Sequence, residues 1–151
     1  MEQKRKIVPP VYLLLTLAAM AGLHYLLPIA QFSFEPYSTY AGIALIVVGV
    51  LIAGAAAGLF WRAGTPVIPF EKSTALVTGG LFRYTRNPMY LGMIILLLGA
   101  GLIFGSIGSL LPIPLFAWII VSNFIRGEEN FLQEIFGEEY LAYKRKVRRW
   151  L

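Results

Sequence analysis

Long apolar stretches constrain what this chain can fold into, because they suit helices that cross a lipid bilayer. They run over about residues 7–30, 40–61, 88–104 and 110–125. A helix rises 1.5 Å per residue, so the first two exceed the ~30 Å of hydrocarbon in a bilayer. The last two are shorter, and the tight turn at 105–109 between them predicts a helical hairpin. The sequence therefore predicts an all-α integral membrane protein with about four transmembrane helices.

The composition supports lipid as the solvent of this fold. Hydrophobic residues make up 58% of the 151 residues, charged residues make up 14%, and the mean hydropathy is +0.70. Soluble domains carry about 25% charged residues, and a soluble protein of this length could not bury so much apolar surface. The length allows one domain over residues 1–151 and is too short for two ordinary domains.

The residues after 125 form a different kind of segment. Apolar residues recur there at mostly helical spacing, with Glu and Lys between them. The basic run Lys144-Arg145-Lys146-Val147-Arg148-Arg149-Trp150 follows and suits anionic lipid headgroups. We therefore expect a C-terminal amphipathic segment of one or two helices that lie at the membrane interface.

The distribution of positive charge predicts the orientation in the membrane. If the N-terminus is cytoplasmic and the chain crosses four times, all thirteen Lys and Arg residues face the cytoplasm. The outer links 31–39 and 105–109 contain no Lys or Arg, as the positive-inside rule requires. We therefore expect both termini in the cytoplasm, with Arg126, Glu128 and Glu129 at the same face as residues 79–92.

Composition also excludes several kinds of site. The chain has no cysteine and one histidine, so disulfides, thiolate metal sites, a cysteine nucleophile and a histidine-built zinc site are not expected. His24 falls near the outer end of the first span and is interpreted as structural. The net charge of +5 is more typical of membrane topology than of nucleic-acid binding. Neither a metal nor a nucleic-acid partner is predicted.

Small residues in the second span predict close helix packing. They recur at three- and four-residue spacing, which lets helix backbones approach closely in lipid, and they are Gly49, Ala53, Gly54, Ala57 and Gly58. Gly54 and Gly58 form a pair that can pack within a chain or between chains, so the oligomeric state stays open. A groove for a substrate chain is the alternative interpretation.

Residues 79–92, Gly-Gly-Leu-Phe-Arg-Tyr-Thr-Arg-Asn-Pro-Met-Tyr-Leu-Gly, are too polar and aromatic for a plain connecting loop. An Asn-Pro step before a membrane helix frees backbone groups that must be satisfied inside protein or in a water-filled cavity. This segment predicts a polar cavity at the bilayer surface, where Glu128 or Glu129 can pair with Arg83 or Arg86. The alternative is that these charges only anchor helix ends and pair with lipid phosphates.

Two sequence blocks at this face resemble a known family. The first block consists of Leu76-Val77-Thr78-Gly79-Gly80-Leu81-Phe82 followed by Arg86-Asn87-Pro88-Met89-Tyr90-Leu91-Gly92. It is similar to the first signature of the isoprenylcysteine carboxyl methyltransferase and phospholipid methyltransferase superfamily, which is commonly Arg-His-Pro-x-Tyr. Glu128-Glu129 matches the Glu-Glu pair that follows in that family. Leu132, Phe136-Gly137-Glu138-Glu139-Tyr140 and Tyr143 match its C-terminal pattern. The resemblance covers roughly residues 61–151.

The resemblance implies a small integral membrane methyltransferase that uses S-adenosylmethionine without a Rossmann-type domain. No Gly-x-Gly-x-x-Gly phosphate loop occurs in the chain. The implied cofactor-site segments are 74–92 and 126–143, and the implied cofactor-binding residues are Leu76, Val77, Phe82, Asn87, Pro88, Met89, Tyr90 and Glu128. Arg126 would help to position the substrate. Glu129 would be either a partner of the cofactor-binding residues or a general base.

Asn87 departs from the family pattern, which usually has histidine at this position. Asn donates and accepts hydrogen bonds but cannot act as a base near neutral pH. Proton transfer at Asn87 is therefore excluded, and a prenylcysteine substrate is not assumed. A carboxylate acceptor needs no base, whereas an amine or thiol must first lose a proton. An easily ionised, lipophilic acceptor, either a small molecule or a lipid-attached group that enters from the bilayer, is favoured.

A non-enzymatic four-helix transporter or scaffold subunit is the alternative to an enzyme. Transporters usually place an ionisable residue near the bilayer midplane, and the candidate within the predicted spans, His24, lies off centre. The methyl acceptor itself stays open, since prenylated protein ends, phospholipid amines, small thiols and quinone-like lipids all suit this architecture.

Overall fold

The computed structural model describes residues 8–27, 29–32, 34–67 and 73–151. The elements in these ranges are α1 (Pro9–Leu26), α2 (Tyr37–Arg62), a 3₁₀ turn (Gly80–Arg83), α3 (Pro88–Phe104), α4 (Ile107–Leu110), α5 (Pro112–Ile120), a π-helical turn (Val121–Ile125) and α6 (Arg126–Lys146). The predicted all-helical architecture is confirmed for this part of the chain. Lys4, Arg5, Lys6, Lys72 and the predicted start of the first span at Ile7 lie outside the described residues.

Three helical stretches in the described ranges are long and apolar enough to cross a membrane, namely Pro9–Leu26, Tyr37–Arg62 and Ile107–Lys146. They support the prediction of a membrane protein. α3 is apolar but has 17 residues, at the lower limit of the length that spans hydrocarbon. The number of crossings, and therefore the orientation of the termini, stays a prediction. Proline begins α1, α3 and α5, at a position where the helix needs no N–H donor.

α2 and α3 are in backbone contact through glycines. A Cβ atom added to Gly49 would lie 2.5 Å from the carbonyl oxygen of Gly92, and one added to Gly92 would lie 2.5 Å from that of Gly49. Gly42 and Gly99 stand in the same reciprocal relation, at 2.6 and 2.5 Å. The two helices are therefore antiparallel, and their backbones approach as closely as small residues allow in lipid.

The sequence left open whether Gly54 and Gly58 pack within the chain or between chains, and among the described residues they make no close helix contact within it. A Cβ atom on either glycine would meet no atom of the described residues within 4 Å. Each residue advances an α-helix by about 100°, so Gly54 lies about 140° around the helix from Gly49. Gly42, seven positions before Gly49, returns to the same face to within about 20°. Of the predicted small residues, Gly49 and Ala53 therefore lie at the contact with α3, whereas Gly54 and Gly58 do not.

The buried core lies between α1, α3 and α5, with Met20, Leu97 and Phe116 almost fully buried. At the end of the bundle away from residues 79–92, the His24 ring Nδ1 hydrogen bonds with the hydroxyl of buried Ser106 at 2.9 Å. Ser106 follows the left-handed residue that ends α3, Gly105. This contact supports the interpretation of His24 as a structural residue.

The last predicted span and the C-terminal segment form one nearly continuous helical path. The π-helical turn joins α5 to α6 without interruption, so the predicted boundary at residue 125 is not a break in the helix. Inside α6, Gly137 has φ 50° and ψ −123°, a conformation that glycine adopts far more readily than other residues. α6 is therefore bent at Gly137, and its position relative to the membrane interface stays a prediction.

Candidate functional site

A pocket opens where α3 begins, between the segment that precedes α3 and α6. About 610 Å³ in and around it is free of protein atoms, a figure that includes open solvent at its mouth. Its walls are formed by Phe60, Ser73, Ala75, Leu76, Val77, Phe82, Arg86, Asn87, Pro88, Met89, Tyr90, Glu128, Glu129, Leu132, Tyr140 and Tyr143.

The pocket brings together nearly all of the residues that the sequence singles out. Those that line it are Leu76, Val77, Phe82, Asn87, Pro88, Met89, Tyr90, Glu128 and Glu129. Arg126 does not line it, and its side chain is exposed. Because Arg126 precedes Glu128 by two residues, it lies about 200° around the helix from it. The structure thus brings the two sequence blocks together, and the chemical role of each residue stays a prediction.

Tyr90 and Glu128 form a polar contact inside the pocket. The Tyr90 hydroxyl donates a hydrogen bond of 2.7 Å to Glu128 Oε1. Burial raises the pKa of Glu128, the hydrogen bond from Tyr90 partly offsets that rise, and the negative charge of Glu129 adds to it. A cationic ligand beside Glu128 would favour its ionised form. Glu128 is therefore suited to accept hydrogen bonds from a bound ligand.

Glu129 lies between two arginines. Arg86 Nη2 donates to its Oε1 at 2.9 Å, while Arg149 donates from Nε to Oε1 at 3.0 Å and from Nη2 to Oε2 at 2.8 Å. Burial alone would raise the pKa of Glu129, but the hydrogen bond from Arg149 and the charges of both arginines outweigh it and hold the pKa below its usual value. Such a carboxylate is a poor proton acceptor near neutral pH. The geometry therefore favours a partner role for Glu129 over that of a general base.

Arg86 connects the pocket to the end of α6. Its Nη1 donates to the carbonyl oxygens of Lys144 and Val147, at 3.2 and 3.3 Å. Its Nε is buried and has no hydrogen-bond partner among the described residues. An unpaired buried donor is costly. Arg83, the other arginine predicted to pair with an acidic residue, has an exposed side chain.

Asn87 is buried, and its side-chain amide is used to hold the backbone in place. Its Nδ2 donates to the carbonyl oxygen of Arg149 at 3.0 Å, and Thr85 Oγ1 donates to the same oxygen at 3.0 Å. The Asn87 N–H donates to Thr85 Oγ1 at 3.2 Å. Asn87 therefore reaches the pocket while its amide group fixes residues 85–87 against residue 149.

Aromatic side chains form another wall of the pocket. The Tyr143 hydroxyl donates to the carbonyl oxygen of Phe82 at 2.7 Å, and the Phe82 ring meets Phe60 edge-on at 5.3 Å. Burial, together with the charge of Glu129, raises the pKa of Tyr140 to about 12. Burial also raises the pKa of Tyr143. Both phenols are therefore neutral near pH 7, and neither acts as a base there.

Sequence reasoning missed the role of Arg149. The sequence places Arg149 in a basic run expected to meet lipid headgroups, whereas the structure turns it onto Glu129. Tyr140 and Tyr143 belong to the recognised C-terminal pattern but received no role. Their spacing of three residues, one helical turn, is a signal for a shared face. Nothing comparable distinguishes Arg149 from Arg145 in the sequence.

Apolar helices with a polar, aromatic-walled pocket at one end define the class as a helical membrane protein. The chain belongs to the phospholipid methyltransferase family, whose model matches residues 37–139, more than half of the sequence. The match includes Glu128, Glu129 and the 79–92 segment. It ends before Tyr140 and Arg149.

The chain is also similar to individual proteins. It is 32% identical over 113 residues to a probable protein-S-isoprenylcysteine O-methyltransferase of Oryza sativa subsp. japonica, covering 74% of this chain and 59% of the relative. It is 38% identical over 77 residues to the protein-S-isoprenylcysteine O-methyltransferase of Schizosaccharomyces pombe, covering 51% of this chain and 33% of that protein. The chain thus spans little more than half the length of the rice relative.

A solved structure has the same fold. It is the eukaryotic intramembrane Ras methyltransferase ICMT (isoprenylcysteine carboxyl methyltransferase), with a TM-score of 0.69. The superposition covers 97% of this chain and 52% of that protein. At 19% sequence identity, the likeness shows the shared fold and leaves the substrate of this chain to other observations.

Proposed function

We propose that this protein is an S-adenosylmethionine-dependent methyltransferase that acts on a lipophilic acceptor at the cytoplasmic face of a membrane. The observation that carries the proposal is the Tyr90–Glu128 hydrogen bond in a pocket built jointly by the two signature blocks. Relatives named as O-methyltransferases support methyl transfer as the reaction class. The placement of all Lys and Arg residues outside the predicted outer links supports the orientation.

The chemistry of the pocket wall fits S-adenosylmethionine. Leu76, Val77 and Phe82 supply an apolar and aromatic surface for the adenine ring. Glu128 supplies an acceptor for the ammonium group or ribose hydroxyls. Aromatic rings in the wall suit a positively charged sulfonium. When bound, the cofactor would supply an electrophilic methyl group for in-line displacement.

The main task left to the chain is to position the reacting groups. Holding a nucleophile and an electrophilic carbon in line at near-attack distance accounts for a large part of such catalysis. Among the described residues, the carboxylates that line the pocket are Glu128 and Glu129. Glu129 is held ionised by arginines, while burial raises the pKa of Glu128. An acceptor that must lose a proton would therefore need a base other than Glu129. An acceptor that is already ionised would need no base.

The substrate is proposed to reach the pocket from lipid. The helices that meet at the pocket expose apolar residues, as expected for a surface in contact with acyl chains. Arg126 lies exposed at the start of α6, outside the pocket. It would contact an anionic part of a lipid-attached substrate, or a lipid headgroup, beside the opening.

Binding of S-adenosylmethionine to the purified protein in lipid nanodiscs tests the proposal. Tyr90→Phe removes a hydroxyl group from the pocket, and Glu128→Gln removes a negative charge. Each should weaken binding about 10-fold or more, since hydrogen bonds to charged groups contribute about 1.5–3 kcal/mol. Tyr25→Phe and Glu138→Gln make the same chemical changes at exposed positions and should leave affinity unchanged.

Methyl transfer is then measured with labelled S-adenosylmethionine and a membrane lipid extract, and the labelled product is identified. A wild-type protein that does not bind the cofactor would return the interpretation to a transporter or scaffold subunit. Pocket variants that bind as tightly as wild type would place the cofactor elsewhere.

A further inference from the structure

Residues 147–150, which follow α6, are hydrogen bonded to the part of the pocket wall that precedes α3. The carbonyl oxygen of Arg149 accepts bonds from Thr85 and Asn87, both at 3.0 Å. The carbonyl oxygen of Arg148 accepts a bond of 2.9 Å from the Arg86 N–H. Residues 85–87 are thereby hydrogen bonded to residues 148–149, about 60 positions later in the chain.

The Arg149 side chain differs from the rest of the basic run. It makes two hydrogen bonds to Glu129, whereas Arg145 is 67% exposed and lies 3.8 Å from an exposed glutamate, Glu138. Arg149 does not line the pocket, so it can affect a ligand only through its neighbours. Glu129 links it to Arg86, and both of these residues do line the pocket.

Apolar contacts hold the segment on both sides of Arg149. Val147 is buried, and Trp150 packs against the hydrophobic core that includes Tyr90. The segment is therefore docked by side chains and backbone together, and a lipid headgroup is not needed to explain the position of Arg149.

We propose that residues 147–150 form a strap that fixes the wall of the pocket, and that Arg149 is a positioning residue that orients Glu129 and Arg86 for methyl transfer. A guanidinium that bonds both carboxylate oxygens fixes the orientation as well as the charge of its partner. The kinetic part of this inference rests on the proposed function, whereas docking of the strap does not.

Trp150 reports docking of the strap directly. The chain has three tryptophans, and the other two, Trp61 and Trp118, are 87% and 66% exposed. The background Trp61→Phe/Trp118→Phe leaves Trp150 as the sole indole emitter. In this background, Arg149→Gln should shift the emission to longer wavelength and increase quenching by acrylamide. Arg145→Gln, which removes the same charge from an exposed position, should change neither.

Kinetics then separate positioning from simple anchoring. Arg149→Gln should lower kcat/KM on the order of 100-fold, since small misplacements of this kind cost about that much. Arg149→Lys keeps the charge but cannot reproduce the two parallel bonds, so it should leave Trp150 docked and restore only part of the activity. It also provides the test if Arg149→Gln does not fold.

Two results would overturn the inference. Arg149→Gln and Arg145→Gln could change fluorescence and activity equally, or Arg149→Lys could restore full activity. Either result would show that the paired bonds from Arg149 do not position Glu129 and Arg86 for methyl transfer. If the wild-type protein transfers no methyl group, the proposed function fails, and the fluorescence comparison still decides whether the strap is docked by Arg149.

Discussion

Replacing Glu129 with Gln should destabilise the protein by about 3 kcal/mol. The change removes the negative charge that Arg86 and Arg149 share through hydrogen bonds of 2.8–3.0 Å. Glu129 and Arg86 are 8% and 10% exposed, so Arg86 would stay buried without its partner. Loss of one member of a buried pair costs about 3–5 kcal/mol. Arg149 is 34% exposed and can regain water, which places the expected cost at the lower end.

Thermal unfolding in a fixed detergent measures this cost. For a chain of this size each kcal/mol shifts the midpoint by about 2–4 °C, so Tm should fall by roughly 6–12 °C. Glu138→Gln is the matched control, because it lies on the same helix and its partner Arg145 is 3.8 Å away, with both side chains largely exposed. Exposed pairs contribute little, and the control should shift Tm by less than about 2 °C.

A double variant tests whether Glu129 and Arg149 interact directly. Once Glu129 is neutral, Arg149→Gln removes much less stabilising interaction energy. The destabilisation of the double variant should therefore be smaller than the sum of the destabilisations of the two single variants. Strictly additive shifts, or equal shifts for Glu129→Gln and Glu138→Gln, would refute the reasoning from the buried ion pair.

Three further predictions concern helix packing and pH. Gly92→Ala forces a Cβ atom against the carbonyl of Gly49 and should destabilise the folded protein by about 1–3 kcal/mol. Gly54→Ala meets no atom of the described residues within 4 Å and should be neutral or stabilising by up to about 1 kcal/mol. Equal shifts of the unfolding midpoint for the two variants would contradict the packing. The pKa of Glu129 is lower in the folded protein than its ordinary value of 4.5. Its ionised carboxylate therefore stabilises the fold above pH 4.5, and this stabilisation is lost as pH falls through the folded pKa. Glu129→Gln should remove that part of the acid sensitivity of the unfolding midpoint. Because the pKa of Glu128 is raised above 4.5, affinity for S-adenosylmethionine should increase as pH rises through that raised value. Calorimetric titrations over a series of pH values measure this dependence. If Glu128→Gln keeps the same pH dependence, Glu128 is not the group that binds the cofactor.

Much of the fold could be predicted because membrane helices are specified by local properties. The length and apolarity of residues 40–61 suffice for a helix that crosses lipid, and α2 indeed covers Tyr37–Arg62. The pocket was predictable for a related reason. Asn87-Pro88 and Glu128-Glu129 place polar groups beside apolar helices, where such groups need partners inside the protein. Their meeting in one pocket agrees with that requirement.

The sequence by itself determined that this chain forms apolar helices, with a polar segment before α3 and an acidic pair at the start of α6. Only the tertiary structure decided which of several residues of the same type makes the contact. Gly49 packs against α3 whereas Gly54 does not, and Arg149 binds Glu129 whereas Arg145 stays exposed. Residues of one type are equivalent by composition and local spacing. They become different only when a neighbouring element covers one face and leaves another open, and that depends on contacts between residues far apart in the chain.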